Sequence, residues 1–424
     1  MRILVISNTP WDVSNSFGNT FSNLFYKMDG IEAYNICCRS GISNNNVVKE
    51  SIQATDKSVL KSIYKLRYDP FWKMEIDTAH DENKEISESA IKKRKPVHFL
   101  IRDTIWKMGK WKKSKVLNDF LNKIKPDLIY LPIYAQHYMC DFQDYIIEKL
   151  GVPVVGHITD DVYGMRPDVK GLEKRCGLKL QKKIEHLIKK CSYIDVFAEN
   201  MAKEYSKSFG VPCYLIGKGV KKEEIPEIKE FTKKEKIKLV YTGVLSKYRF
   251  DTLISLGKVI SEGDRVEIDV YSQTALTEHM KEEISKYPQI SFKGKIDRGE
   301  VDIVQNSADM LLHIEGFDSE AIYRSKMSFS TKIIDYMLKC KVIFAIGSEE
   351  INSISVLKEK NLAVVARSTS EIQERLKEIV NDKIDFNEIL SNCHSYLVNE
   401  RSIDEIQQGM KKRMEGLLNE NSAN

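Results

Sequence analysis

Short apolar runs rich in β-branched residues alternate with helical patterns along this whole chain, and that alternation leaves few folds open. In the first half the strand candidates are 3–7, 127–132, 152–158, 194–198 and 213–216, with helices at 20–28, 116–123, 141–149, 172–191 and 201–209. In the second half strands at 238–241, 266–271, 290–292, 310–314, 342–346 and 362–365 alternate with helices that include 251–262, 277–286, 330–338 and 371–380. Strands separated by helices pair in parallel, because a parallel neighbour is reached only through a long crossover. The expected class is α/β with doubly wound sheets. At 424 residues the chain exceeds the usual reach of one hydrophobic core, so two domains are expected. The charged, proline-containing stretch 221–236 reads as their linker, which sets an N-terminal domain at 1–220 and a C-terminal one at 237–395. The last segment, 396–424, holds an amphipathic helix without a following strand, expected to pack back on the N-terminal domain. Ligands of such sheets sit beyond the carboxyl ends of the strands, which puts the chemistry in a cleft between facing domains.

Composition excludes several function classes. No window approaches ~20 uninterrupted apolar residues, as a spanning helix requires, and the opening Met1-Arg2-Ile3-Leu4-Val5-Ile6-Ser7 reads as a strand rather than a signal peptide. A net charge of +5 is too small to argue for nucleic acid, and no zinc or RNA-binding pattern accompanies it. The cysteines form no Cys-x-x-Cys pair and the histidines no His-Glu-x-x-His pattern. Free thiols in a reducing cytoplasm and no bound metal are the expectation. Residues 91–115 are strongly basic and interleaved with Phe99, Trp106 and Trp111. Two readings stay open there: contact with an anionic membrane surface, or aromatics packed on the sheet with lysines in water.

Three segments carry candidate chemistry. In Phe329-Ser330-Thr331-Lys332-Ile333-Ile334-Asp335-Tyr336, small hydroxyl residues open a helix whose free N–H groups suit phosphate. Asp335, one turn in, suits a ribose diol, since an ionised carboxylate only accepts hydrogen bonds; Ser330 or Thr331 could equally be a simple N-cap. In Tyr241-Thr242-Gly243-Val244-Leu245-Ser246-Lys247-Tyr248-Arg249, Gly243 allows close backbone approach, and Lys247 and Arg249 can neutralise a diphosphate. In the first half, His157 ends a strand before Thr159-Asp160-Asp161, where either aspartate could orient it or cap the next helix. The loop after the first strand contains Trp11, Asn15, Gly18 and Asn19 but no Gly-x-Gly-x-x-Gly spacing, which argues against NAD. Trp11 there either stacks on a sugar or covers the core edge.

Taken together, the segments around Gly243–Arg249 and Ser330–Asp335, with His157 and the stretch Ala198-Glu199-Asn200-Met201 before the linker, resemble the GT-B glycosyltransferases. The likeness is to the retaining family 4 type found in bacterial polysaccharide synthesis, and it spans most of the chain. It implies two Rossmann-like domains and transfer of a sugar from a nucleotide sugar, expected to be a UDP-sugar, to a hydroxyl acceptor with retention and without metal or cofactor. The acceptor implied is a saccharide or lipid-linked saccharide of surface polysaccharide synthesis, met in the cytoplasm at the inner face of the cell membrane. By the same resemblance Gly243, Lys247, Arg249, Gly294, Lys295, Ser330, Thr331, Lys332 and Asp335 bind the donor. His157, Asp160 and Arg249 lie at the reaction centre, and Trp11, Asn15, Gly18 and Asn19 line the acceptor site. The chain departs from the family pattern at Val244, where an arginine is usual, and at Met327, where a carboxylate is usual. Glu315, expected on an expanded loop, is the candidate replacement carboxylate. Two other readings fit the pattern: a nucleotide-sugar epimerase of the same fold, and an inactive subunit that binds a partner transferase.

Overall fold

The computed structural model describes residues 1–77, 96–166, 168–232, 234–260 and 265–423. Their contacts divide into two compact units, Met1–Phe197 with Met201–Gly219 and Ile403–Asn424, and Ala198–Asn200 with Val220–Ser402. The stretch expected as a linker clusters with the second unit, and the last helix, Ile403–Ala423, with the first. No described helix is long and apolar enough to cross a membrane.

The first unit contains strands β1 (Arg2–Ser7), β2 (Glu32–Cys37), β3 (Ser43–Asn44), β4 (Val48–Gln53), β5 (Trp72–Met74), β6 (Ile76–Asp77), β7 (Leu128–Pro132), β8 (Val154–Ile158), β9 (Tyr193–Val196) and β10 (Cys213–Leu215). Eight of them form one sheet in the order β10-β9-β8-β7-β1-β2-β4-β5, parallel except for the β4–β5 pair; β3 and β6 pair separately. The strands β2 and β4 escape a periodicity search because polar residues interrupt them. Asn35 and Ser51 are fully buried yet satisfied: the Asn35 amide donates to the Val5 carbonyl and the Ser7 hydroxyl, both at 3.1 Å, and the Ser51 hydroxyl donates to Asn35 at 3.2 Å. A buried polar group with partners costs little, and here it ties three strands in register.

Trp11 is a core residue. It is fully enclosed among Phe17, Phe21 and Phe25, and its indole N–H donates to the Ser22 hydroxyl at 2.9 Å, so no ring face is open to a sugar. Asn15 caps the helix Ser16–Phe25, accepting from the Gly18 amide at 2.8 Å, while a side chain at Gly18 would strike the Asp12 backbone. These two residues build the turn, and Asn19 remains exposed beside it. Met410 and Met414 of the last helix complete this core, and Gln407 donates to the carbonyls of Asn23 and Tyr26 at the end of the Ser16–Phe25 helix.

The basic aromatic segment divides. Residues 91–95 lie outside the described residues, and the helix Pro96–Met108 follows. Trp106 and Trp111 point inward against Phe142, with their indole N–H groups donating to Asp56 at 2.8 Å and to the Trp106 carbonyl at 2.6 Å. Of the three aromatics only Phe99 is exposed.

The second unit is a parallel six-stranded sheet of β11 (Ile237–Thr242), β12 (Val266–Tyr271), β13 (Ile290–Gly294), β14 (Met310–Ile314), β15 (Val342–Ile346) and β16 (Val364–Ala366). Their order is β13-β12-β11-β14-β15-β16, so the winding reverses between β11 and β14. The strands β14 and β15 are buried along their whole length, as their unbroken apolar runs require. Phe344 lies at the centre, paired with Leu312 and Val364 and fully enclosed. Phe344→Ala should destabilise this unit by about 3–5 kcal/mol, checked by the midpoint of denaturant unfolding.

Candidate functional site

The winding reverses between β11 and β14, and the crevice outside the carboxyl ends of the strands at such a reversal is the usual ligand position of a doubly wound sheet. Five residues meet there. Gly243 follows β11 with φ +154°, and a Cβ on it would lie 2.2 Å from the Lys332 ammonium, so only glycine admits that side chain so close. Glu315 follows β14 directly and is buried. Arg249, one turn into the helix Lys247–Val259, reaches across and forms a two-point fork with it: Nη2 to Oε1 at 2.7 Å and Nε to Oε2 at 3.3 Å. Burial opposes a charged guanidinium, but the Glu315 carboxylate beside it raises the Arg249 pKa above the ordinary arginine range. Thr242 is the hub on β11. Its carbonyl accepts from Lys332 Nζ at 3.2 Å, and its hydroxyl contacts the Tyr336 hydroxyl at 3.2 Å and accepts from Gln305 at 2.9 Å.

Glu315 therefore sits at a strand end rather than on an expanded loop. Both its oxygens are taken by Arg249, so its observed work is to hold that guanidinium. Lys332, its ammonium close to Gly243, lies near enough for the Arg249 charge to act on it; Lys247 is the first residue of its helix, and both lysines are exposed. Desolvation, with the Arg249 charge adding to it, lowers the Lys332 pKa below the ordinary lysine value. The helix expected from residue 330 runs over Lys332–Leu338, with Thr331 at its cap position in αR conformation and no side-chain cap bond. The Ser330 and Thr331 amides stand at its N-terminal end, where intrahelical acceptors run out. Asp335 is half-buried in the first turn, next to Tyr336. Gly294 ends β13 with φ +81°, its carbonyl accepting from the Ser272 amide at 2.9 Å, and Lys295 follows it, exposed. These two lie at the far strand of the sheet, two places from β11.

In the first unit His157, next to last in β8, lies in a buried polar chain that sequence patterns did not disclose. Its Nδ1 lies 3.1 Å from the Tyr130 hydroxyl and its Nε2 lies 3.2 Å from the Thr159 hydroxyl. Tyr130 donates to Asp195 Oδ2 at 3.0 Å, and Arg413 Nη2 pairs with Asp195 Oδ1 at 3.1 Å. Phe21 and Phe197 present ring edges to the imidazole. Burial lowers the His157 pKa to about 3, so the ring is neutral. Both ring nitrogens are thus engaged without either aspartate. Asp161 is occupied locally, accepting from the Tyr205 hydroxyl at 2.7 Å and from the Tyr163 and Gly164 amides, and Asp160 lies on the exposed loop after β8. Asp195, an acid inside the apolar run Tyr193-Ile194-Asp195-Val196, is a signal that could have pointed to this polar chain, since a buried carboxylate needs a cation.

No family model and no curated protein sequence matches this chain. Solved structures do resemble it over nearly its whole length. Sucrose-phosphate synthase from Thermosynechococcus elongatus superposes with a TM-score of 0.62 at 8% identity, covering 98% of this chain and 99% of that one. Anabaena HepE in complex with UDP gives 0.62 at 10% identity, covering 98% and 100%. The lipopolysaccharide outer core galactosyltransferase WaaB, in its apo form, gives 0.60 at 10% identity, covering 97% and 100%. Identities this low establish the fold, an α/β chain with two Rossmann-like units of the GT-B type.

The neutral histidine fixes a pH response. Between about pH 6.5 and 3 the unfolded chain binds a proton at His157 that the native protein refuses, so stability falls on acidification. The slope from this group is about 1.4 kcal/mol per pH unit in that window. Asp195, raised by burial from 3.8 to about 6, acts in the opposite sense over its own window. His157→Gln should flatten the acid limb of unfolding free energy against pH, as urea melts at several pH values would show.

Proposed function

We propose that this protein is a glycosyltransferase that moves a sugar from a UDP-sugar to a hydroxyl acceptor with retention of anomeric configuration. The observation that carries the proposal is the meeting of Gly243, Arg249 and Lys332 at the carboxyl ends of β11 and β14, with Lys332 opening the helix that Ser330 and Thr331 precede. A diphosphate leaving group gains negative charge as the glycosidic bond breaks, and preorganised cations and amides placed there lower the barrier. Arg249 stabilises that charge from a geometry that Glu315 holds, Lys332 adds a second cation, and Asp335 takes the ribose. The whole-chain fold likeness to a protein solved with UDP supports the choice of nucleotide. The likeness to a lipopolysaccharide outer core galactosyltransferase supports a saccharide acceptor in surface polysaccharide synthesis, while a lipid-linked acceptor met at the inner face of the membrane rests on the sequence resemblance. Retention, the family 4 kinship and independence of metal rest on the sequence resemblance.

The Glu315 fork favours a second reading, since it offsets the positive charge of Arg249: an inactive subunit would keep the pair as structure. An assay of UDP release from a panel of UDP-sugars, with and without saccharide acceptors, separates the readings. Acceptor-dependent release supports transfer. An epimerised sugar without acceptor, or no turnover with any donor, contradicts it. Within an active protein, Arg249→Ala should lower kcat roughly a hundredfold or more. Because alanine alone strands a buried carboxylate, the same loss is expected in Arg249→Ala combined with Glu315→Gln. A change confined to KM would contradict the role.

A further inference from the structure

The chain Arg413–Asp195–Tyr130–His157 has a direction, and the direction determines which nitrogen of His157 is bare. Arg413 only donates, so the Asp195 oxygen 3.1 Å away accepts. With Asp195 ionised, its other oxygen also accepts, and the sole proton it can take from Tyr130, 3.0 Å away, is the phenol's own. The Tyr130 oxygen is then left with lone pairs towards His157 Nδ1 at 3.1 Å, and that contact is a hydrogen bond only if Nδ1 carries the proton. The reverse arrangement would aim the phenol proton at Nδ1 and leave two buried acceptor oxygens facing each other. A neutral ring holding its proton on Nδ1 has an unprotonated Nε2, and the Thr159 hydroxyl, 3.2 Å away on the exposed side, donates to it.

We infer that Tyr130, Asp195 and Arg413 are positioning residues that lock His157 in its Nδ1–H tautomer, so that Nε2 accepts a hydrogen bond and the ligand group it selects is a hydroxyl. A ligand hydroxyl would enter by taking the place of Thr159 Oγ1, and a carbonyl or phosphate oxygen, having no proton to give, would be rejected there. The choice of a sugar hydroxyl as that group rests on the glycosyltransferase reading; the tautomer does not. The last helix thereby reaches the histidine through two intermediaries, with Arg413 also stacked 4.5 Å from the Tyr214 ring centroid.

The test is the nitrogen spectrum of the 15N-histidine-labelled full chain at pH 7.5, without any sugar or nucleotide. The His157 signals are assigned by their loss in His157→Gln. The expected wild-type pattern is one protonated nitrogen, Nδ1, and one bare Nε2. Asp195→Asn should invert it. Arg413 can only face the amide oxygen, which turns the amide NH2 towards Tyr130, makes Tyr130 donate to Nδ1, and moves the proton to Nε2. Tyr130→Phe, which deletes one oxygen and leaves the ring in place, should end the pure Nδ1–H pattern. A wild-type spectrum with the proton on Nε2 overturns the inference, as does an unchanged Nδ1–H pattern in folded Asp195→Asn or folded Tyr130→Phe. Because no donor or acceptor is present, these outcomes are independent of whether the transfer reaction is found.

Discussion

A guanidinium and a carboxylate withdrawn from water must find each other, and the pairing of Arg249 with Glu315 is the constraint around which the second unit's crevice is organised. Glu315 is held at the end of β14, and its own carbonyl accepts from the Thr252 hydroxyl at 2.9 Å, so the helix Lys247–Val259 is tied to that strand at two points. On the other side of the crevice Lys332 and Tyr336 tie the helix Lys332–Leu338 to Thr242 at the end of β11. Two helices and the two strands that flank the winding reversal are thereby referenced to one spot. A buried ion pair adds little net stability against an apolar pair of equal volume. Its value here is placement, because a guanidinium fixed by a two-point fork cannot drift from the end of β14.

The first unit uses the same device with different parts. Asp195 would be an orphan charge inside β9 without Arg413, and Arg413 arrives from the last helix, more than two hundred residues further along. Met410 and Met414 on that helix fill the core beside Trp11 and Phe25. One element thus supplies both apolar packing and the single cation that the sheet interior lacks.

Much of the fold was legible because buried parallel strands leave unbroken apolar runs. The strands β14 and β15 begin and end where the periodicity placed them, and so does β12, whose apolar residues alternate with polar ones. The strands β2 and β4 were hidden by Asn35 and Ser51, whose burial makes sense only once their partners on neighbouring strands are seen. At the crevice, Gly243 and Arg249 could be singled out from local chemistry, and Lys332 only through the family resemblance. That Lys332 lies near enough for the Arg249 charge to act on it depends on a contact between residues ninety positions apart. Glu315 was noticed as a carboxylate but not as the partner of Arg249, since a strand-end acid and a helix-borne arginine give no shared sequence signal. Trp11 had two readings that burial alone could separate. Tyr130 and Arg413 carried no signal at all, because each matters only through the group it touches.

The glycosyltransferase reading of this chain depends on a pyrophosphate being received by Arg249, Lys332 and the adjoining amides. Isothermal titration of UDP, UMP and uridine into the wild type and into Lys332→Met addresses that directly. The expected result is binding that strengthens with each phosphate in the wild type, with most of the gain from the second phosphate lost in the variant. Equal affinity for UDP and uridine, or a gain from phosphate that Lys332→Met leaves untouched, would contradict it.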